Sequence, residues 1–111
     1  MAAKYDVLTS SDGQYYFNLK AANGKVILTS ERYTTQANAL KGIESVRANA
    51  AVPARFDRRS SVAGEPYFVL KARNGEPIGR SEMYTSRWGR DNGIRSVETN
   101  APGARIEDQT A

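Results

Sequence analysis

Laid against itself at an offset of 51, the chain matches without a gap from Lys4–Ala50 onto Arg55–Ala101, and 21 of those 47 pairs are identical. Chance would give roughly one identity in sixteen for ordinary composition. The densest block sets Tyr16-Phe17-Asn18-Leu19-Lys20-Ala21-Ala22-Asn23-Gly24 against Tyr67-Phe68-Val69-Leu70-Lys71-Ala72-Arg73-Asn74-Gly75. Two further blocks pair Ser30-Glu31-Arg32-Tyr33-Thr34 with Ser81-Glu82-Met83-Tyr84-Thr85, and Gly42-Ile43-Glu44-Ser45-Val46 with Gly93-Ile94-Arg95-Ser96-Val97. Two copies are too few for a solenoid, which needs about three. They suit closure about an approximate two-fold axis, as in a homodimer. Repeat 1 spans residues 4–54 and repeat 2 residues 55–108, together one compact domain. The polar stretch Arg59–Pro66 reads as a linker by composition, yet it aligns with Leu8–Tyr15 inside repeat 1 and is therefore a turn within the unit.

Each unit reads as three strands followed by a helix. Tyr15–Ala21 and Lys25–Ser30 are β-rich runs separated by Ala22-Asn23-Gly24, and the second copy repeats this with Arg73-Asn74-Gly75. Asn-Gly predicts a two-residue hairpin turn with positive φ at both positions. An earlier strand, Tyr5–Thr9, has its counterpart in Phe56–Ser60. Thr34 or Thr35 can cap the helix that follows, as can Thr85 or Ser86, because a hydroxyl accepts from first-turn N–H groups. The helix runs to about Asn49, with Ala39, Ile43, Val46 and Ala50 on one face, matched by Ile94, Val97 and Ala101. Asn49 and Asn100 tolerate the left-handed conformation of a helix end. Lys4-Tyr5-Asp6 recurs as Arg55-Phe56-Asp57 and a third time as Arg105-Ile106-Glu107, so a final strand is expected to close an otherwise open sheet edge.

These paired motifs resemble the YegP-like family of small, functionally uncharacterised bacterial proteins, and the resemblance runs from about Lys4 to Glu107. It implies an α+β fold of two tandem β-β-β-α-β units. They would form one shared antiparallel sheet, with two helices packed on one face and exchanged C-terminal strands. It transfers no activity. Copy two departs from the pattern at Pro77 and Gly79 in its third strand, and at Trp88-Gly89 where its helix begins.

Composition removes whole chemistries. The chain has no His and no Cys, which excludes imidazole bases, thiolate nucleophiles, disulfides and His or Cys metal sites. No cofactor and no metal is expected, and no apolar run approaches the roughly 18 residues of a membrane span. Met1–Asp6 lacks the apolar stretch of a secretory signal, so a cytoplasmic setting is expected. Leu, Ile, Val and Phe make up 20 of 111 residues, which is enough for one modest core shared by both copies. Residues 1–54 hold 6 basic and 4 acidic groups and residues 55–111 hold 10 and 8, so both halves are +2 and neither carries a basic arm.

Several residues repeat in ways that admit a functional and a structural reading. Glu31 and Glu82, two residues before Tyr33 and Tyr84, suit the turn into each helix better than an acid–base pair. Gly42 and Gly93 each cost a helix about 1 kcal/mol relative to alanine, so the helix backbone there is expected to lie close to the sheet or to the partner helix. Ser45 and Ser96 lack any base to activate them. The sheet offers the best binding surface. Tyr16 and Lys20, with Tyr67 and Lys71, alternate with the core-facing Phe and Leu and so point to the open face. The first reading is a non-catalytic binding or interaction module whose partner the sequence does not name, monomeric because duplication replaces dimerisation. The second is a single-stranded nucleic-acid binder using the Tyr/Lys face. The third is an enzyme, disfavoured by the missing acid–base–nucleophile set.

Overall fold

The computed structural model describes residues 2–110, and its chain direction is set by four tight turns that all end on glycine. In each copy the hairpin turn encloses three residues, not two. Ala21 N–H donates to the Lys25 carbonyl and Gly24 N–H to the Ala21 carbonyl, both at 2.9 Å. Only the glycine takes positive φ, 84° at Gly24 and 87° at Gly75. The arrangement is a type I turn closed by a left-handed glycine bulge. Asn23 keeps negative φ because its side chain serves the turn in another way: Oδ1 accepts the Lys25 N–H at 2.9 Å, as Asn74 accepts that of Glu76 at 3.0 Å.

Around these turns the elements run β1 (Lys4–Thr9), β2 (Tyr15–Lys20), β3 (Val26–Ser30) and α1 (Gln36–Asn49) in copy one. A single 3-10 turn at Pro53–Arg55 then leads into β4 (Phe56–Ser60), β5 (Pro66–Lys71), β6 (Pro77–Arg80), α2 (Arg87–Asn100) and β7 (Arg105–Asp108). Of the candidate caps, Thr35 and Ser86 serve: their hydroxyls accept the N–H groups of Asn38 and Gly89 at 3.1 and 3.0 Å. The helix ends differ from the expectation. Asn49 and Asn100 stay helical, and Ala50 and Ala101 after them have φ of −64° and −57°. Each asparagine amide instead donates back to the carbonyl of Ser45 or Ser96, at 2.8 Å, and so secures the last turn from within.

All seven strands form one sheet in the order β4-β5-β6-β3-β2-β1-β7, with the approximate two-fold axis between β6 and β3. Phe17, Leu19, Leu28, Phe68 and Leu70 point to one face, where the helices bury them with Ile43, Val46, Ile94 and Val97. Each helix lies across strands of both copies: α1 touches β2 and β1 but also β5 and β6, and α2 touches β5 and β3. The two copies therefore share a single core. At the axis the copies differ by necessity. Leu28 and Gly79 occupy equivalent positions, and a Cβ on Gly79 would meet the Thr29 carbonyl oxygen at 2.7 Å and Leu28 Cγ at 3.2 Å. One large and one absent side chain let β3 and β6 approach.

The expected α+β architecture is present, with two refinements. Strands β1 to β6 pair antiparallel with one another, but β7 lies parallel to β1 (Lys4↔Arg105 to Val7↔Asp108), so the sheet is mixed. The strand exchange also runs one way: β7 of copy two covers copy one, and β4 ends the sheet with no neighbour among the described residues. Two side chains of copy one hold the closing strand. Tyr5 Oη donates to the Ala101 carbonyl at 2.7 Å, and Arg47 Nη2 donates to the Ala104 carbonyl at 2.7 Å while its guanidinium lies over the Tyr5 ring. Copy two has Phe56 and Glu98 at those positions and lacks both donors. Among the described residues no helix is long and apolar enough to cross a membrane.

Candidate functional site

The helices leave one face of the sheet open, and strand alternation decides what it shows. Because Phe17 and Phe68 face the helices, Tyr16, Asn18 and Lys20 of β2 and Tyr67 and Lys71 of β5 face away. Direct register partners share a face, which adds Asp6 of β1, Thr29 of β3, Arg80 of β6, and Asp57 and Arg59 of β4. The Thr29 hydroxyl donates to Asn18 Oδ1 at 2.8 Å, tying β2 to β3 across this surface.

The two tyrosine–lysine pairs lie on this face, but they are not brought together. β2 and β5 are separated by β3 and β6, three strand spacings or about 14 Å. Both lysines are also engaged. Lys20 Nζ pairs with Asp6 at 2.9 Å, and Lys4 joins the same carboxylate at 3.4 Å. Lys71 Nζ pairs with Asp57 at 3.2 Å, where Arg59 joins at 2.8 Å. Burial pushes the Asp6 carboxyl up, yet Lys20 and Lys4 more than reverse this and hold it below the ordinary carboxylate range. At Asp57 the Arg59 guanidinium is the main influence; it and Lys71 lower the carboxyl against a smaller opposing effect of burial. Both aspartates stay ionised and neutralise the lysines. Sequence held a signal for this, since Asp6 and Asp57 are identical in both copies, but only the register puts them beside the lysines.

Between the two pairs, at the β3–β6 seam, an open cavity of about 460 Å³ is lined by Val26, Thr29, Arg32, Arg80 and Glu82 with the seam serines Ser30 and Ser81. Glu82 is occupied by Lys25 at 3.0 Å. Arg32 and Arg80 form no ion pair among the described residues. Arg32 instead lies over the Tyr16 ring, 4.1 Å from its centroid, close enough for a cation–π contact. Neither arginine is repeated: Arg32 aligns with Met83 and Arg80 with Thr29, so comparison of the copies passes over both. Only the meeting of β3 with β6 sets them at one cavity.

On the helix side the repeated tyrosines and glycines pack against one another. Tyr33 and Tyr84 stack on Phe17 and Phe68 (centroids 6.3 and 6.4 Å apart, planes at 13°) and press their ring ends against Gly42 and Gly93. Burial, reinforced by the nearby Glu31 or Glu82 charge, raises both phenols above their ordinary range. The Ser30 hydroxyl accepts the Phe17 N–H at 2.9 Å, as the Ser81 hydroxyl accepts that of Phe68 at 3.0 Å, so these repeated serines complete the sheet ladder.

A family model described as Domain of unknown function (DUF1508) matches residues 10–57 and again residues 61–108. The chain belongs to that family. The UPF0339 protein of Bordetella pertussis is 57% identical over 106 residues, covering 96% of each chain. The solution NMR structure of a UPF0339 protein from Shewanella oneidensis is 47% identical, with 97% of this chain and 92% of that one aligned at a TM-score of 0.90. The solution NMR structure of the protein of unknown function yegP from E. coli is 43% identical, with 98% and 94% aligned at a TM-score of 0.92. The YegP-like motifs thus mark a DUF1508 member, and the alignments with these relatives run through both copies of the domain in this chain. A fold alone does not carry a function.

Proposed function

We propose that this DUF1508 chain is a non-catalytic, monomeric binding module whose open sheet face receives an anionic group at the β3–β6 seam. The observation that carries the reading is the pair Arg32 and Arg80, which form no ion pair among the described residues and line one cavity while the neighbouring lysines are neutralised. A guanidinium offers a planar fork of donors suited to phosphate or carboxylate oxygens. The non-catalytic part is supported by the lack of His and Cys, and by the direction of titration. Among the described residues, the carboxylates with a shifted pKa, namely Asp6, Asp12, Asp57, Asp91, Glu107 and Asp108, are all lowered, so none of these is held protonated as a general acid would be.

A chemical-shift titration of the labelled chain with pyrophosphate and with a short oligothymidine tests this. Shifts are expected at Thr29, Arg32 and Arg80, with affinity at least tenfold weaker in the Arg32→Gln/Arg80→Gln variant. Shifts elsewhere only, or unchanged affinity in that variant, would overturn the reading. Single-stranded nucleic acid is the second reading, favoured by the Tyr16 ring already stacked with Arg32. It requires the oligothymidine to bind more tightly than pyrophosphate, to lose affinity steeply with salt, and to weaken on Tyr16→Ala or Tyr67→Ala.

A further inference from the structure

The closing strand leaves a vacancy that follows from counting. Two-fold symmetry asks for four basic–apolar–acidic strands: β1, the strand that covers β1, and their two counterparts in the other half. The chain contains three, at Lys4-Tyr5-Asp6, Arg55-Phe56-Asp57 and Arg105-Ile106-Glu107. The segment that follows α1 is spent as β4, the counterpart of β1, and so cannot also cover it. The slot outside β4 matches the slot that β7 fills outside β1.

We infer that the outer edge of β4 is a docking site for an extended acidic peptide, which adds to the sheet parallel to β4 as β7 adds to β1. The backbone is presented for it. In copy one the Val7 carbonyl accepts the Gln109 N–H at 2.9 Å from the β7 side. Arg58 is the residue equivalent to Val7, and its register partner Phe68 turns its own backbone toward β6, where its carbonyl accepts the Ser81 N–H at 2.9 Å. Arg58 N–H and C=O therefore point to the free edge, as does the Phe56 carbonyl. The Phe56 N–H is already spent on the Pro53 carbonyl, so pairing starts one group later.

Charge selects the occupant. Lys4 meets Glu107 of the covering strand at 3.4 Å. Its counterpart Arg55 has only a neutral partner, the Asn49 Oδ1 at 3.0 Å, and pairs with no carboxylate among the described residues. Asp57 also marks the vacancy: its side chain is 37% exposed where that of Asp6, under β7, is 6% exposed. A strand with an acidic residue at the Glu107 position would supply the missing partner to Arg55 and cover Asp57. This mode of recognition is strand addition, in which main-chain hydrogen bonds give affinity and side chains give register. The site is independent of the Arg32/Arg80 cavity, which lies two strands away.

The test titrates the full chain with a synthetic peptide of residues 104–110, Ala-Arg-Ile-Glu-Asp-Gln-Thr, while following amide shifts and hydrogen exchange. Exchange at Arg58 should slow at least tenfold at saturation. Replacing both acidic residues of the peptide with lysine should abolish this. Arg58→Pro removes the outward donor, a change an edge strand tolerates, and should reduce peptide affinity at least tenfold. Arg55→Gln leaves the backbone intact and should weaken binding about two- to fivefold, the worth of a surface ion pair. Protection at Tyr5 and Val7 instead of Arg58, equal binding of the lysine peptide, or Arg58 protection that rises with protein concentration alone would each overturn the proposal. The last result would assign the edge to a second copy.

Discussion

Adding one methyl group at Gly42 separates two effects of opposite sign. A glycine-to-alanine change inside a helix is worth about 1 kcal/mol in favour of alanine. At Gly42, however, the new Cβ would stand 2.7 Å from Tyr33 Cζ, closer still to Tyr33 Oη, and 3.0 Å from Phe17 Cε2. Carbon atoms prefer roughly 3.5–4.0 Å, so the tyrosine ring must retreat by about 1 Å. Its freedom to do so is small. Tyr33 is pinned to Tyr15 by two backbone hydrogen bonds, of 2.7 and 2.8 Å, and its ring is stacked on the fully buried Phe17. Overpacking of this kind costs about 1–3 kcal/mol, so Gly42→Ala should be net destabilising by about 1 kcal/mol. In a Tyr33→Ala background the obstacle is gone and the same methyl should stabilise by about 1 kcal/mol. Urea denaturation followed by far-ultraviolet circular dichroism, run as a double-mutant cycle, should therefore show a coupling of about 2 kcal/mol between the two positions. Gly93 and Tyr84 should behave alike, with the ring Cζ again at 2.7 Å. If Gly42→Ala stabilises the wild-type chain as much as the Tyr33→Ala chain, the close approach does not explain the glycine.

Two further outcomes follow from buried phenols. Tyr5→Phe removes the donor to the Ala101 carbonyl and should cost about 1–2 kcal/mol, with amide exchange in β7 accelerating more than in β5; uniform acceleration would show that the bond does not hold the closing strand. Stability should also fall at alkaline pH. Burial raises Tyr5 far above the ordinary phenol range, and raises Tyr33 and Tyr84, each with help from its nearby glutamate. The unfolded chain then ionises first, so this contribution is complete below about pH 10 and is lost as pH rises toward the folded-state values. Denaturant midpoints should decline above pH 10, less steeply in Tyr5→Phe, and a flat profile would contradict the burial.

Much of the architecture was legible because local rules repeat. The duplicated Asn-Gly turns, the Phe-x-Leu alternation, the capping hydroxyls and the Ile43/Val46 spacing each act over a few residues, and agreement between copies confirmed them within one chain. The turn geometry departs from the two-residue expectation because Asn-Gly serves two hairpin types, and the Asn23 side chain, by bonding the Lys25 N–H, holds the residue at negative φ. The helix ends depart from expectation for a similar reason: Asn49 finds a carbonyl partner one turn back and does not need the left-handed conformation.

By itself the sequence determined the unit, its duplication, the face each strand residue takes and the absence of imidazole and thiol chemistry, since these depend on residue type and short-range period. Tertiary structure alone decided which groups meet. Register set Asp6 and Asp57 beside the lysines of the open face and so removed them as free cations. The β3–β6 seam brought Arg32 to Arg80 across a separation of 48 residues. Tyr5 and Arg47 hold the third basic–apolar–acidic segment at β1, and β4 is left without an outer neighbour among the described residues. Such pairings join residues distant in the chain, and pattern within a window has no access to them.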